Sequence, residues 1–430
     1  MQKLTLDWIN PLDFASKIAD NYTNQNWIFR YSGLSEQVPG SISQIALFAQ
    51  EEIISDNFSE AQNIIQNSDD EWLGYLSYEL GQNFETLPKT QKSFISLPKI
   101  HFINFGLKFE FNHDKKELIA SFHDKKLLDE VLCYKKRSSK TPQNSNIISI
   151  DSNFSDQSYL AAISNIKEMI ANGDLYQTNL TRKFFGEFEA KQEQRSSFKM
   201  FCDLCELSPA NYSSFLKLDD HYIISSSPEL FLKVENGKII SRPIKGTTPR
   251  SSDPKQDEAN KLALQNSEKE KAENLMIVDL VRNDLSRICQ AGSIVTHNLF
   301  DITSYQNIHH MSSEVEGSIL DRFSTFDAIK TCFPPGSMTG APKIKAINVA
   351  TDKEQLDRGI YSGAIGSISN EALNLSVVIR TLVLHGKKFE FQVGGAITFG
   401  SDPEMELQEI FNKARGILAL LQIDVDQNIG

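Results

Sequence analysis

Two short carboxylate patterns and one lysine stand out as residues whose types and spacing could do chemistry. Glu270-x-x-Glu273 and Glu406-x-x-Glu409 each put two acids three residues apart, which on a helix places both side chains on one face. If the two faces meet, four carboxylates offer an oxygen-rich setting for a hard cation. Mg²⁺ commonly takes one or two protein carboxylates and keeps several waters, so two acids could bind directly and two through water. Spacing alone also fits two solvated acidic faces. The lysine is Lys245, between Ile244 and Gly246, just beyond a hairpin turned at Asn236-Gly237. Strand alternation allows it to face inward, where burial lowers its pKa and frees the amine for nucleophilic work. Facing outward, it is an ordinary hairpin lysine.

Glycine-bearing segments are the other candidates. Phe333-Pro-Pro-Gly-Ser-Met-Thr-Gly-Ala-Pro-Lys343 is dense in turn residues. Gly340 permits close backbone approach, and Pro342 suits a helix start, beside which an anion can sit. The phosphate-loop spacing is not met, because Lys343 does not directly follow the second glycine. Gly394-Gly395-Ala396 interrupts a strand, as glycines do where a ligand or another backbone comes close.

Alternating helix and strand signals must position these residues. The spacing predicts a helix from Ser155 to Asn172, ended by Gly173, and a long helical stretch from about Asp257 to Arg287. A last helix is expected from Pro403 to about Leu421. Strands are expected at Tyr212 to Leu218 and Tyr222 to Ser226, with a late hairpin of Leu375 to Leu384 and Lys388 to Phe399 about His385-Gly386. Many hairpins beside a few long helices imply antiparallel sheet and an α+β fold. The polar run KKRSSKTPQNSN, within 135–150, reads as a linker between a β-rich region at 1–134 and a larger region at 151–425.

Composition narrows the partners. A formal charge of −12 over 430 residues argues against nucleic acid and anionic membranes, which require clustered Lys and Arg. The N-terminus lacks a signal-peptide pattern, and a cytoplasmic location is expected. Five scattered cysteines do not describe a disulfide framework. Cys202 and Cys205 spell C-x-x-C but fall in an apolar helical run and read as core.

From about Asp156 to Leu421 the sequence resembles the chorismate-utilising enzymes. The resemblance is carried by GDLYQTNLTRKF (173–184), SSSPELF (225–231), PIKGTTPR (243–250), AENLMIVDLVRNDLSRIC (272–289), HMSSEVEG (310–317), PPGSMTGAPK (334–343) and VVIRT (377–381). EWLGYLSYELG (71–81) extends it towards the N-terminus. It implies two large antiparallel sheets stacked as a sandwich with helices outside and the active site between them. It also implies that Glu270 and Glu406 touch Mg²⁺ while Glu273 and Glu409 act through water. Gly340, Ala341, Tyr361, Arg380, Gly394, Gly395 and Ala396 fall where the family binds chorismate. His310 matches its active-site histidine, and Lys413 is a further candidate.

Within the family, lysine at the place of Lys245 marks the aminodeoxychorismate synthases, whereas anthranilate synthases have alanine. The implied route is covalent, with Lys245 attacking ring C2, Glu229 protonating the departing C4 hydroxyl, and ammonia then entering at C4. The product serves 4-aminobenzoate and folate synthesis; anthranilate synthesis is the alternative. No cysteine sits in the Gly-x-Cys-x-Gly setting of a glutaminase nucleophile, so ammonia is expected from a separate glutamine amidotransferase subunit. Trp27 to Gly33 departs from the Leu-Leu-Glu-Ser element of tryptophan-regulated anthranilate synthases.

Overall fold

A computed structural model describes residues 1–33, 41–133, 146–305 and 308–423. Among the described residues the strands pair antiparallel throughout, as the abundance of hairpin signals requires, and a lone bridge between Gln91 and Leu356 is parallel. One arm of the sheet runs from Ile42–Ser55 through Trp27–Tyr31, Tyr212–Leu218, His221–Ser227, Thr381–His385 and Lys388–Ile397 to Gln177–Phe188. A second arm leaves Ile100–Asn112 through Trp72–Leu76, Ala364–Ile368, Leu373–Val377, Leu230–Glu235 and Lys238–Arg242 to Ile308–Ser318. Ile42–Ser55 pairs with Ile100–Asn112 along their lengths and joins the arms into one hydrogen-bonded network.

Side-chain alternation makes two layers of these arms. In Trp27–Tyr31, Trp27 and Phe29 pack with helical residues Ile163, Phe198 and Ile417, whereas Ile28 turns to the opposite face. In Trp72–Leu76, Trp72 and Leu76 pack with Ile277, Val278 and Ile329, whereas Leu73 and Tyr75 turn the other way. Ile28, Leu73, Tyr75, Leu216, Ile223 and Val383 form a shared middle core. The molecule is therefore a stack of two sheet layers with helices on both outer faces, as expected. Sheets of this kind bury one set of alternate residues against the partner layer and the other against helices.

Three local expectations are corrected. The stretch from Asp257 to Arg287 is two helices, Pro254–Asn266 and Glu268–Ser286. Ser267 ends the first and caps the second, its hydroxyl accepting the Glu270 N–H at 3.3 Å. The run from Leu375 to Leu384 is broken into Leu373–Val377 and Thr381–His385, because Arg380 between them adopts φ 51°. Of the expected linker, residues 135–145 lie outside the described residues, whereas Ile147–Ser152 is a half-exposed edge strand on Gln177–Phe188. The helices Asp156–Ala171 and Pro403–Leu420 fall where expected. Cys205 is buried in the first helical core and Cys202 packs against it. Among the described residues no helix is long and apolar enough to cross a membrane.

Candidate active site

Lys245 sits at an irregularity in strand Ile244–Pro249, where pairing with Ile308–Ser318 slips between Ile244 and Thr247. Gly246, at φ 82°, supplies the left-handed step that such a bulge requires. The step turns the Lys245 side chain inward, and its Nζ donates to the Ser337 carbonyl at 3.3 Å. Burial pushes the amine below the ordinary lysine value, and Lys413 pushes the same way, while Glu273, Glu229 and Glu409 oppose them.

Glu229 reaches the same place from the turn before strand Leu230–Glu235. It is 4% exposed, and burial raises its carboxyl to about 7 against the pull of a hydrogen bond from the Ser337 side chain and of the Lys245 charge. Ser337, in the short turn Gly336–Met338, therefore touches both groups. Tyr361 is buried within the electrostatic reach of Glu229.

His310 faces Thr247 across the strand pair, with Nδ1 at 3.1 Å from the Thr247 hydroxyl. Its Nε2 lies 3.4 Å from Nη2 of Arg380. A guanidinium can only donate, so Nε2 is the accepting nitrogen and Nδ1 carries the proton. Burial, helped by the Arg380 charge, holds this imidazole neutral, well below its ordinary pKa. Burial likewise lowers Arg380 to about 10, and a second nitrogen, Nη1, donates to the Ser208 hydroxyl at 3.2 Å.

The glycines separate into two kinds. A Cβ at Gly340 would stand 2.2 Å from the Gln177 carbonyl, and one at Gly394 would stand 2.6 Å from Thr181 Cγ2. Those two glycines are required by the packing of strand on strand. At Gly395 the nearest atom to such a Cβ is Oε2 of Glu406, at 3.2 Å, so this residue opens towards the acids. Strand Gln177–Phe188 lies between the two segments, with Gly340 and Ala341 opposite Thr178 and Gln177, and Ala396 opposite Asn179.

The four glutamates converge from two helices. Glu270 and Glu273 project from the first turns of Glu268–Ser286, and Glu406 and Glu409 from Pro403–Leu420. Glu270 Oε2 would be 3.0 Å from a Cβ on Gly246, which sets the acids directly beside the lysine. Burial raises the Glu270, Glu273 and Glu406 carboxyls, and the charge of Glu409 raises each further. Glu409 is lowered instead, because Lys413 stands 2.5 Å from it. The Lys413 ammonium also donates to the Gly394 carbonyl at 2.9 Å, so it ties the last helix to the glycine strand. Lys269 lies across the two pairs, 3.9 Å from Glu273 Oε1 and 3.6 Å from Glu406 Oε1. Among the described residues the carboxylates do not close into a group of three that would hold a metal ion as they stand. A cation fits them chemically, since Glu273 Oε1 is buried without a hydrogen-bond partner and the acids repel one another.

Residues 20–419 match the family of chorismate binding enzymes. The chain belongs to that family. It is 34% identical over 352 residues to aminodeoxychorismate synthase component 1 of Salmonella typhimurium, spanning 81% of this chain and 76% of that protein. It is 29% identical over 435 residues to anthranilate synthase component 1 of Acetivibrio thermocellus, spanning 94% and 85%. The crystal structure of anthranilate synthase component I from Streptococcus pneumoniae has a TM-score of 0.78 at 25% identity, covering 90% of this chain and 93% of that one. The menaquinone-specific isochorismate synthase of Escherichia coli shares the fold, with a TM-score of 0.78 at 17% identity, covering 98% and 94%. The resemblance and the fold read from the motifs are thereby borne out.

Several residues of this chorismate binding enzyme escaped sequence reasoning. Ser337 and Lys269 carry no signal by type. Gln177 and Asn179 carry a faint one, as amides in a strand otherwise rich in buried residues. Both Gln177 side-chain polar atoms and Asn179 Nδ2 are buried without partners, beside Gly340, Ala341 and Ala396. Lys343, by contrast, is a structural residue. Its ammonium holds Asp284 at 2.7 Å and the Cys332 and Pro334 carbonyls at 2.9 and 3.1 Å, fixing the loop that presents Ser337 and Gly340.

Proposed function

We propose that this chorismate binding enzyme is an aminodeoxychorismate synthase component I, which converts chorismate and ammonia into 4-amino-4-deoxychorismate. The observation that carries the reading is the inward-turned Lys245 sharing Ser337 with a protonatable Glu229. A lysine with a lowered pKa is a competent nucleophile, and a carboxyl poised near neutrality is a competent general acid. The similarity to aminodeoxychorismate synthase component 1 of Salmonella typhimurium supports the same assignment.

In this reading the Lys245 amine forms a bond to ring C2 while both conjugated ring double bonds shift by one position towards C4 and the C4–O bond breaks. Glu229 gives its proton to the departing hydroxyl, which leaves as water. Ammonia then forms a bond to C4, both double bonds shift back, and the C2–N bond breaks to release Lys245 as an amine. Arg380, with two nitrogens already directed by Ser208 and His310, binds a substrate carboxylate, and neutral His310 holds that guanidinium in register. The backbone of Gly340, Ala341, Gly395 and Ala396, with Tyr361, Gly394 and Lys413, shapes the rest of the substrate cleft. Glu270, Glu273, Glu406 and Glu409 would hold Mg²⁺, Glu270 and Glu406 directly and the other two through water. Bound there, the ion would supply Lewis-acid stabilisation of a substrate carboxylate. The "component 1" in the relatives' names supports delivery of ammonia by a separate glutamine amidotransferase subunit.

A second reading, anthranilate synthesis, draws on the relative from Acetivibrio thermocellus, which spans more of the chain. Product analysis separates the two. The purified chain, chorismate, Mg²⁺ and an ammonium salt should give a product that an added aminodeoxychorismate lyase turns into 4-aminobenzoate. Anthranilate formed without the lyase would overturn the proposal.

A further inference from the structure

Three lysines face the four glutamates, and they are held very differently. Lys245 donates to the Ser337 carbonyl, and Lys413 pairs with Glu409 at 2.5 Å and donates to the Gly394 carbonyl. Each is tied to a backbone carbonyl. Lys269 has ion-pair contacts alone, at 3.6 Å to Glu406 and 3.9 Å to Glu273, and its side chain is half exposed. It is also the one that spans the helices, reaching from Glu268–Ser286 to an acid of Pro403–Leu420.

We infer that Lys269 is a resident counter-ion of the acid cluster: it bridges Glu273 and Glu406 while no divalent cation is bound there and gives up that place when one binds. The inference rests on the reading of the four glutamates as a Mg²⁺ site. Glu406 is 4% exposed and Glu273 is 8% exposed, so both carboxylates are costly to leave without a cation. A flexible, half-exposed ammonium is suited to that duty because it can swing into water without breaking a backbone hydrogen bond. The same charge works against a divalent ion, since a like charge about 4 Å from the acids must move away before the ion can approach. Lys269 thereby lowers the enzyme's affinity for its metal and holds the two acid helices together when metal is scarce.

The test is calorimetric titration of Mg²⁺ into the chelator-stripped full chain, with melting temperatures measured with and without the ion. Lys269→Gln should bind Mg²⁺ about tenfold more tightly than the unchanged chain, because it removes one competing charge at contact distance. Its metal-free form should melt lower, and its gain on adding Mg²⁺ should be larger. Lys269→Arg keeps the charge and should match the unchanged chain, as should Lys271→Gln, whose lysine pairs with Glu268 at 3.7 Å. Lys269→Met retains the apolar stem and serves as a second charge-removing variant. If both charge-removing variants bind Mg²⁺ within about twofold of the unchanged chain, the charge does not compete and the inference is overturned. If the unchanged chain and every variant take up no Mg²⁺, the four-glutamate reading itself fails and this inference falls with it.

Discussion

Lys245 donates its ammonium to the carbonyl of Ser337, 92 residues further along the chain, at 3.3 Å. The Ser337 side chain hydrogen-bonds to Glu229. One residue of a short turn thus holds nucleophile and acid in mutual reach, which is the positioning a two-group substitution needs. Lys245→Ala should abolish nitrogen addition at C4 while chorismate still binds, because Arg380 and the glycine strands are untouched. Initial-rate product analysis and a chorismate binding isotherm check this; undiminished 4-amino-4-deoxychorismate formation would remove Lys245 as nucleophile.

The pH profile should have two limbs. Lys245 must lose its proton to attack, and because burial lowers its pKa, activity should rise with pH from below the ordinary lysine range. Glu229 must keep its proton, so the rate should fall as pH rises through about 7. Glu229→Gln should lower kcat by about 10²–10⁴-fold and erase the high-pH limb. Stability follows the same groups. Glu229 and Glu79 are raised from 4.5 to about 7 in the fold, chiefly by burial. Between those values the native state keeps protons that the unfolded chain has released, so stability should decline as pH rises from about 4.5 to 7. A series of urea midpoints across that range measures the slope.

The antiparallel, two-layer fold was legible in the sequence because its signals are local: Asn236-Gly237 turns, alternating aromatics, and a serine cap before Asp156. Residue types also singled out the paired glutamates and Lys245. What resisted reading was decided by single backbone steps and by tertiary contact. The long helix is cut where the Ser267 hydroxyl competes for the Glu270 N–H, and that cut sets Glu270 and Glu273 in the first turns of the second helix. The late strand is broken by a left-handed Arg380, a conformation uncommon for that residue type. Gly340 and Gly394 read as places where a ligand or another stretch of chain comes close, and a Cβ at either would meet strand Gln177–Phe188, which no local signal could tell. Ser337 and Lys269 are ordinary by type and gain their importance from what the fold sets beside them.

Gly246→Ala tests the bulge that aims Lys245. The position has φ 82°, and a Cβ would meet Leu264 Cδ1 at 2.9 Å and Glu270 Oε2 at 3.0 Å. Backbone strain of about 1–3 kcal/mol should therefore be joined by displacement of an acid. Gly237→Ala is the control, since φ is 72° there but nothing lies within 4 Å of the added carbon. Both variants should lose stability in denaturant melts, whereas Gly246→Ala alone should also weaken Mg²⁺ binding in calorimetry. Equal behaviour of the two would mean that Gly246 serves the turn and not the acids.

The Arg358 guanidinium joins elements far apart in sequence, close to Tyr361. It holds Glu354 through two contacts of 2.8 Å and donates to the Met338 and Asn179 carbonyls at 2.9 and 2.8 Å. It also lies 4.6 Å from the ring centre of Tyr78, while Glu79 accepts the backbone N–H groups of Arg358 and Gly359 at 2.7 and 3.0 Å. Both members of the Arg358–Glu354 pair are almost wholly buried. Removing one leaves the other charged and without its partner, at a cost of about 3–5 kcal/mol. Arg358→Met should lower the urea midpoint accordingly, and Glu354→Gln should do so by less, because the amide oxygen still accepts one guanidinium hydrogen. Combining the two should cost less than their sum, since the second change removes a charge that the first had stranded. Strict additivity would mean that the pair contributes packing and no coupled electrostatics.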